Sequence, residues 1–195
     1  MAKKQPADPI KNIDDIHYIQ AYIRTQDKTH SHRNYLLFIV GITTGDRVGD
    51  LVRLKVKDIK NALSNGYFKI EEGKTKKIRK VPIVSNLRKE LKDYIKNKKD
   101  YEYIFYSQKG RSLSVKGVTD VLREVAEELK LRDINLSAHS LRKTFAYRVW
   151  LENGKDIFFV KELLGHSTVE YTKRYLGLDI ELYGRTLSSL NSLII

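Results

Sequence analysis

His139 and Arg142 stand three residues apart in AHSLRKTFA (138–146), and His166 and Tyr175 follow in LLGHSTVEYTKRYLG (163–177). Arg47 in TTGDRVGDLVRL and Lys74 in EEGKTKKIRKVPI lie upstream. Guanidinium groups, imidazoles and a phenol suit attack on a phosphodiester. Such attack puts extra negative charge on the phosphorus oxygens, and a metal-free site must answer with fixed cations and hydrogen-bond donors. Arginine is always charged, planar and able to grip two oxygens. Arg47 and Arg142, on different elements, are therefore candidates to clamp one phosphate from two sides. His139 and Arg142, at i and i+3, share a helix face. Taken singly, Arg47 and Arg142 also read as solvated surface cations and His139 as a helix-capping side chain.

The chain holds 12 tyrosines, so Tyr175 has rivals. Most, such as Tyr22 and Tyr94, read as amphipathic packing residues. A phenol with a pKa near ~10 is a poor nucleophile unless cations stabilise its oxyanion or a base takes its proton. Tyr175 follows His166 closely and sits near a helix end. Tyr171 lies one helical turn earlier, and residue types alone leave both open. Lys74 falls in the turn of an expected hairpin, where Lys74 to Lys80 includes five basic residues and no acid. Most of these read as a solvated basic loop. A hairpin tip can also enter a DNA groove, where a lysine can protonate a departing 5′-oxygen. Lys76, Lys77 and Arg79 then read as phosphate-neutralising side chains.

Competing motifs fail. Gly73-Lys74-Thr75 is no phosphate-binding loop, because position 68 is Phe rather than Gly and a strand follows instead of a helix. H-E-x-x-H is absent, no acidic cluster suits two-metal chemistry, and His30-Ser31-His32 reads as a loop or helix start.

The elements that must hold these residues follow from periodicity. Asn12 caps a helix over about 13–26, with Ile13, Ile16, Ile19 and Ile23 at helical spacing. A second helix runs through Tyr35, Leu36, Phe38, Ile39 and Ile42 to Gly45. Asp46 is read as the cap of a short helix carrying Arg47, Asp50, Leu51 and Leu54. Val56 to Ile59 is read as a strand. Asn65-Gly66 forms a turn, and 67–70 with 78–83 form an antiparallel hairpin. Helices are expected at about 86–97, 114–130, 139–152, 156–164 and 168–174. The fold class is α+β, mostly α-helical with a small antiparallel sheet. No linker divides residues 12–195, and residues 1–11 read as a flexible arm.

Of 195 residues, 41% are hydrophobic, enough for a core, and Lys+Arg number 37 against Asp+Glu 24. The net charge of +13 and pI near 9.7 point to an anionic partner, nucleic acid first. Cysteine is absent, which removes disulfides and Cys-based zinc sites and suits a reducing cytoplasm. No apolar run approaches the ~20 residues of a membrane span.

TTGDRVGDLVRLKVKDI, GKTKKIRKVPI, AHSLRKTFA and LLGHSTVEYTKRYLG, in this order and with compatible gaps, resemble the catalytic domain of the tyrosine recombinases, or phage integrases. The resemblance runs from about residue 12 to nearly the end. It implies that Arg47, Lys74, His139, Arg142, His166 and Tyr175 are catalytic, with Tyr175 rather than Tyr171 the nucleophile. Lys74 would be the general acid, His166 would hydrogen-bond the scissile phosphate and Asp50 would support the active-site histidine. Lys143 stands where a second His often follows the Arg and adds a cation near DNA. The resemblance implies site-specific cutting and rejoining of double-stranded DNA through a 3′-phosphotyrosyl link, needing no cofactor, neither metal nor ATP. It further implies a bacterial or phage-encoded, DNA-associated protein of mobile elements. The tail 178–195, rich in Leu and Ile, would dock in a neighbouring subunit of a tetramer on DNA. The N-terminal DNA-clamping domain of many members has no counterpart here, and Asp46 stands where the family usually has an apolar residue. A DNA-binding accessory protein and a topoisomerase-like relaxing enzyme are the alternatives.

Overall fold

Asn12 opens α1 (Ile13–Thr25): its side chain accepts from the Asp14 N–H at 2.9 Å. Asp14 and Asp15 in the first turn and Arg24 in the last complement the helix dipole. Ile16, Ile19 and Ile23 are buried on one face, each worth about 1.5–3 kcal/mol relative to exposure. They pack on α2 (Ser31–Thr44), whose Leu36, Leu37, Phe38 and Val40 are buried on successive faces, so α2 runs through the core. His30 precedes it as the N-cap residue, at the helix start expected there. The computed structural model describes residues 6–26, 29–71 and 78–178, with the side chains of Ile70 and Glu71 excepted. Lys74, Lys76, Lys77 and the tail from 179 lie outside the described residues.

Gly41 and Gly45 let α2 approach α7 (Ala138–Glu152). A Cβ on Gly41 would lie 2.6 Å from Leu141 Cδ1. Gly45 ends α2 in the left-handed region, at φ 64°, and its N–H closes on the Gly41 carbonyl at 3.1 Å. The chain then turns into α3 (Val48–Leu51), for which Arg47 is the N-cap residue. The expected cap role of Asp46 is thereby corrected: its carboxylate is buried and paired with Arg79.

The strand expected at 56–59 is also corrected. These residues open α4 (Val56–Asn65), because Val56, Ile59 and Ala62 recur at helical spacing and are all buried. The Lys55 N–H donates to Asp58 Oδ2 at 2.8 Å and starts the helix. Gly66, at φ 83°, caps its end. Among the described residues the sheet is one antiparallel pair, β1 (Tyr67–Glu71) and β2 (Ile78–Pro82), with Phe68 opposite Val81 and Ile70 opposite Arg79. α5 (Ser85–Ile95) buries Leu87, Leu91 and Ile95 and packs on α2 and α4. α6 (Val115–Glu128) is capped by the Ser114 side chain, which accepts from Gly117 N–H at 3.0 Å.

The arm expected over 1–11 is tied down at residues 8–10. Asp8 N–H donates to the Asn135 carbonyl (3.1 Å), Asn135 N–H donates to Asp8 Oδ2 (3.0 Å), and Ile10 N–H donates to Thr144 Oγ1 (2.9 Å). Ile10 is fully buried, which repays the ordering of this segment.

The chain forms two compact units, Met1–Phe145 and Ala146–Ile195. In the second unit α8 (Ile157–Leu164) is capped by Asp156, which accepts from the Phe158 and Phe159 N–H groups. It packs on α9 (Val169–Leu176), capped by Thr168. Val160, Leu164, Leu176 and Trp150 form this unit's own core. Among the described residues no helix is long and apolar enough to cross a membrane.

Candidate active site

In the first unit the two candidate arginines meet at one loop. Arg47 has extended backbone (φ −65°, ψ 131°) and a half-buried side chain, and the Asp50 N–H returns to its carbonyl at 2.8 Å. Arg142, 6% exposed, donates from Nη1 to the Gly45 carbonyl at 2.8 Å across 97 residues of sequence. An ordinary surface cation would stay solvated, because burying a guanidinium is costly unless it is paired and hydrogen-bonded. The arginine that grips the α2–α3 turn is therefore held by the fold rather than by chance packing.

His139, in the first turn of α7, is exposed, and its N–H lies 3.3 Å from Ser137 Oγ. Asp50 accepts from Arg53 Nη2 at 2.7 Å. Lys143 is half-buried; desolvation lowers its pKa, the nearby Asp8 opposes this and Lys11 adds to it. Arg79 requires a correction. Expected as a phosphate-neutralising cation, its side chain is only 14% exposed and points inward, forming an ion pair with Asp46, itself 1% exposed. Nη2 also donates to the Thr44 carbonyl at 2.7 Å. The reason is the period-2 alternation of β2: Arg79 and Val81 share the inward face, while Ile78 and Lys80 face solvent. Burial raises the Asp46 pKa, an effect opposed by the charge and hydrogen bond of Arg79, by Thr44 and by the charge of Arg142.

In the second unit Gly165, at φ 68°, ends α8 and turns the chain so that His166 faces α9. Its ring lies 4.8 Å from that of Tyr175 and 4.7 Å from that of Tyr171, both edge-on. Tyr175 is half-buried and Tyr171 is 50% exposed. His166 Nδ1 is 3.1 Å from Thr172 Oγ1, and that hydroxyl donates to the Thr168 carbonyl at 3.1 Å. A hydroxyl has one proton. If that proton goes to the Thr168 carbonyl, Thr172 accepts from His166 and Nδ1 carries the hydrogen. Nε2 is then the nitrogen whose state varies: a lone pair in the neutral ring, a donor in the imidazolium.

Sequence reasoning missed Thr172 and the partnership of Asp46 with Arg79. Thr172 looked like any polar residue of an amphipathic helix. The inward face of Arg79 was readable from its alternation with Val81, but its acidic partner lies far away in sequence. Among the described residues no group of three or more His, Cys, Asp or Glu side chains could hold a metal ion.

The model of the phage integrase family matches residues 12–181. A probable integrase/recombinase of Bacillus subtilis (strain 168), YoeC, is 36% identical over 172 residues, covering 88% of this chain and 90% of the relative. Tyrosine recombinase XerA of Pyrococcus furiosus is 33% identical over 147 residues, 73% of this chain but only 49% of that protein. Among solved structures, a crystal structure of XerA recombinase has a TM-score of 0.68 at 26% identity, covering 95% of this chain and 66% of the other. XerH site-specific recombinase bound to its difH substrate, a pre-cleavage complex, has a TM-score of 0.69 at 26% identity and covers 96% and 55%. With motif order, helical architecture and small antiparallel sheet all in agreement, the chain belongs to the phage integrase family of tyrosine recombinases.

Proposed function

We propose that this protein is a site-specific DNA recombinase that cuts and rejoins strands through a 3′-phosphotyrosyl intermediate on Tyr175. Arg47 and Arg142 grip the nonbridging oxygens of the scissile phosphate and stabilise the charge that builds there. The Tyr175 oxygen attacks phosphorus as its proton leaves, and the bond from phosphorus to the 5′-oxygen breaks. Lys74 gives that oxygen its proton. A 5′-hydroxyl from a partner strand reverses the step, and the covalent link conserves the phosphodiester bond. His166, its Nδ1 3.1 Å from Thr172 Oγ1, works through Nε2: neutral, it accepts the phenolic proton; charged, it donates to a phosphate oxygen. His139 adds a donor beside the phosphate. Lys76, Lys77 and Lys143 neutralise flanking phosphates, and Asp50 with Arg53 buttresses the α3 turn. The tail joins subunits into a tetramer on DNA.

The observation that carries this reading is the buried Arg142, bonded to the carbonyl two residues before Arg47. Covalent trapping tests it. Wild-type protein is incubated with a randomised library of nicked duplexes. The nick lets the short 5′-hydroxyl fragment diffuse away, so the reverse step loses its nucleophile. Protein-linked DNA survives denaturation, and its sequence identifies the site. Adduct from wild type and from Tyr171→Phe, with none from Tyr175→Phe, is the expected result. Equal adduct from Tyr175→Phe refutes the assignment; binding without any adduct leaves a DNA-binding protein only.

A further inference from the structure

β2 gives an inward position to Arg79 while the apolar Ile78 beside it is 56% exposed. A strand selected for burial alone would be shifted or substituted to reverse this. The inward place is set by what Arg79 meets. Its Nη2 donates to both the Thr44 carbonyl and Asp46 Oδ1, and its guanidinium carbon lies 5.8 Å from the centre of the Phe145 ring. Phe145 in turn covers Gly45, where a Cβ would approach its ring to 2.0 Å. One side chain thus joins β2, the α2–α3 turn and α7. The same turn is held by Arg142 through the Gly45 carbonyl, and Arg47 directly follows Asp46 along it.

The pair is not an efficient way to stabilise a fold. Asp46 Oδ2 and Arg79 Nε and Nη1 are buried without a hydrogen-bond partner. Burial is the largest influence on Asp46 and opposes its ionisation. A buried ion pair with unmet hydrogen-bonding capacity is commonly matched or bettered by apolar side chains of similar volume. What two apolar side chains would not supply is direction. Arg79 can satisfy the Thr44 carbonyl and the Asp46 carboxylate together in only one register of β2 against the turn.

We propose that Asp46 and Arg79 are positioning residues, a buried clasp that sets the base of the β1–β2 hairpin against the turn bearing Arg47. Lys74 lies between β1 and β2 in sequence, so the clasp aligns the proposed general acid with the phosphate-gripping arginine. This rests on the recombinase reading above.

The test uses Asp46→Leu/Arg79→Met, which removes both charges and so avoids an unpaired buried ion. Cleavage of the trapped DNA sequence is followed in single turnover at saturating protein. DNA affinity, and amide hydrogen exchange over 78–82 without DNA, are measured alongside. The double variant is expected to bind DNA within about threefold of wild type yet cleave about 10- to 100-fold more slowly, the scale of a misplaced catalytic group. Replacing the 5′-oxygen by sulfur, a leaving group that needs no proton, is expected to restore much of that rate, and the same rescue is expected of Lys74→Ala. Amides over 78–82 exchange faster. A merely structural role would lower the fraction of active protein and would not discriminate between leaving groups. Cleavage at the wild-type rate overturns the clasp. So does a loss confined to affinity, with the salt slope reduced by about one phosphate, which makes Arg79 a DNA contact. Absence of adduct from wild type sinks the recombinase reading instead. The exchange measurement still decides the clasp, which unchanged protection over 78–82 overturns.

Discussion

Gly45→Ala tests whether the α2–α3 turn is as tightly specified as its contacts imply. Gly45 has φ 64° and ψ 21°, a conformation costing an L-residue about 1–2 kcal/mol. The new Cβ would lie 2.0, 2.5 and 2.6 Å from Phe145 Cδ1, Cγ and Cε1. Relaxed carbon contacts need about 3.5–4.0 Å, so the ring or the turn must move by roughly 1.5 Å. Overpacking of this kind costs about 1–3 kcal/mol. Loss of unfolded-state freedom gives back about 0.4–1 kcal/mol. The net destabilisation is therefore about 1–5 kcal/mol, read from urea unfolding by linear extrapolation. Phe145→Ala in the same background relieves the clash but not the backbone cost, so the two changes should couple by about 1–3 kcal/mol in a double-mutant cycle. Because the Gly45 carbonyl holds Arg142 and Arg47 lies on the same turn, cleavage by the folded variant should also fall. A cost below about 0.5 kcal/mol, or additive changes at 45 and 145, would refute the argument.

Thr172→Val is expected to leave His166 Nδ1–H without its acceptor and to slow adduct formation about tenfold, equivalent to roughly 1.4 kcal/mol. Thr172→Ser, which keeps the hydroxyl, should restore the rate, and unchanged cleavage by the valine variant would rule out the assigned tautomer. The Asp46–Arg79 pair makes a signed prediction about pH. Burial raises the Asp46 pKa above 3.8, so the native state holds this proton more tightly than the unfolded chain. The wild type must then lose stability, relative to Asp46→Leu/Arg79→Met, as pH rises from 3.8 through the native value. At neutral pH the double variant should match the wild type or exceed it by about 1–4 kcal/mol. Urea midpoints across this range check it, and relative stabilisation of the wild type on raising pH would show that Arg79 outweighs burial.

Much of this molecule is written locally. The isoleucine spacing of α1, the Asn12 and Ser114 caps, and the glycines that end α2 and α8 all act through neighbours within a turn or two. The candidate residues of the proposed site were legible for the same reason, as types at short spacing in ordered motifs. Where local signals were short or ambiguous, tertiary packing decided. Val56 and Ile59 are β-branched and suit a strand by propensity, yet their joint burial with Ala62 on one face selects a helix. Asp46 and Arg79 could equally have faced solvent as a helix cap and a phosphate contact. Their meeting depends on β2 register and the α2–α3 turn closing across 33 residues. The Arg142 bond spans 97. No local energy reports such pairings, because they arise only when distant segments share one core and each buried charge must find its counterpart there.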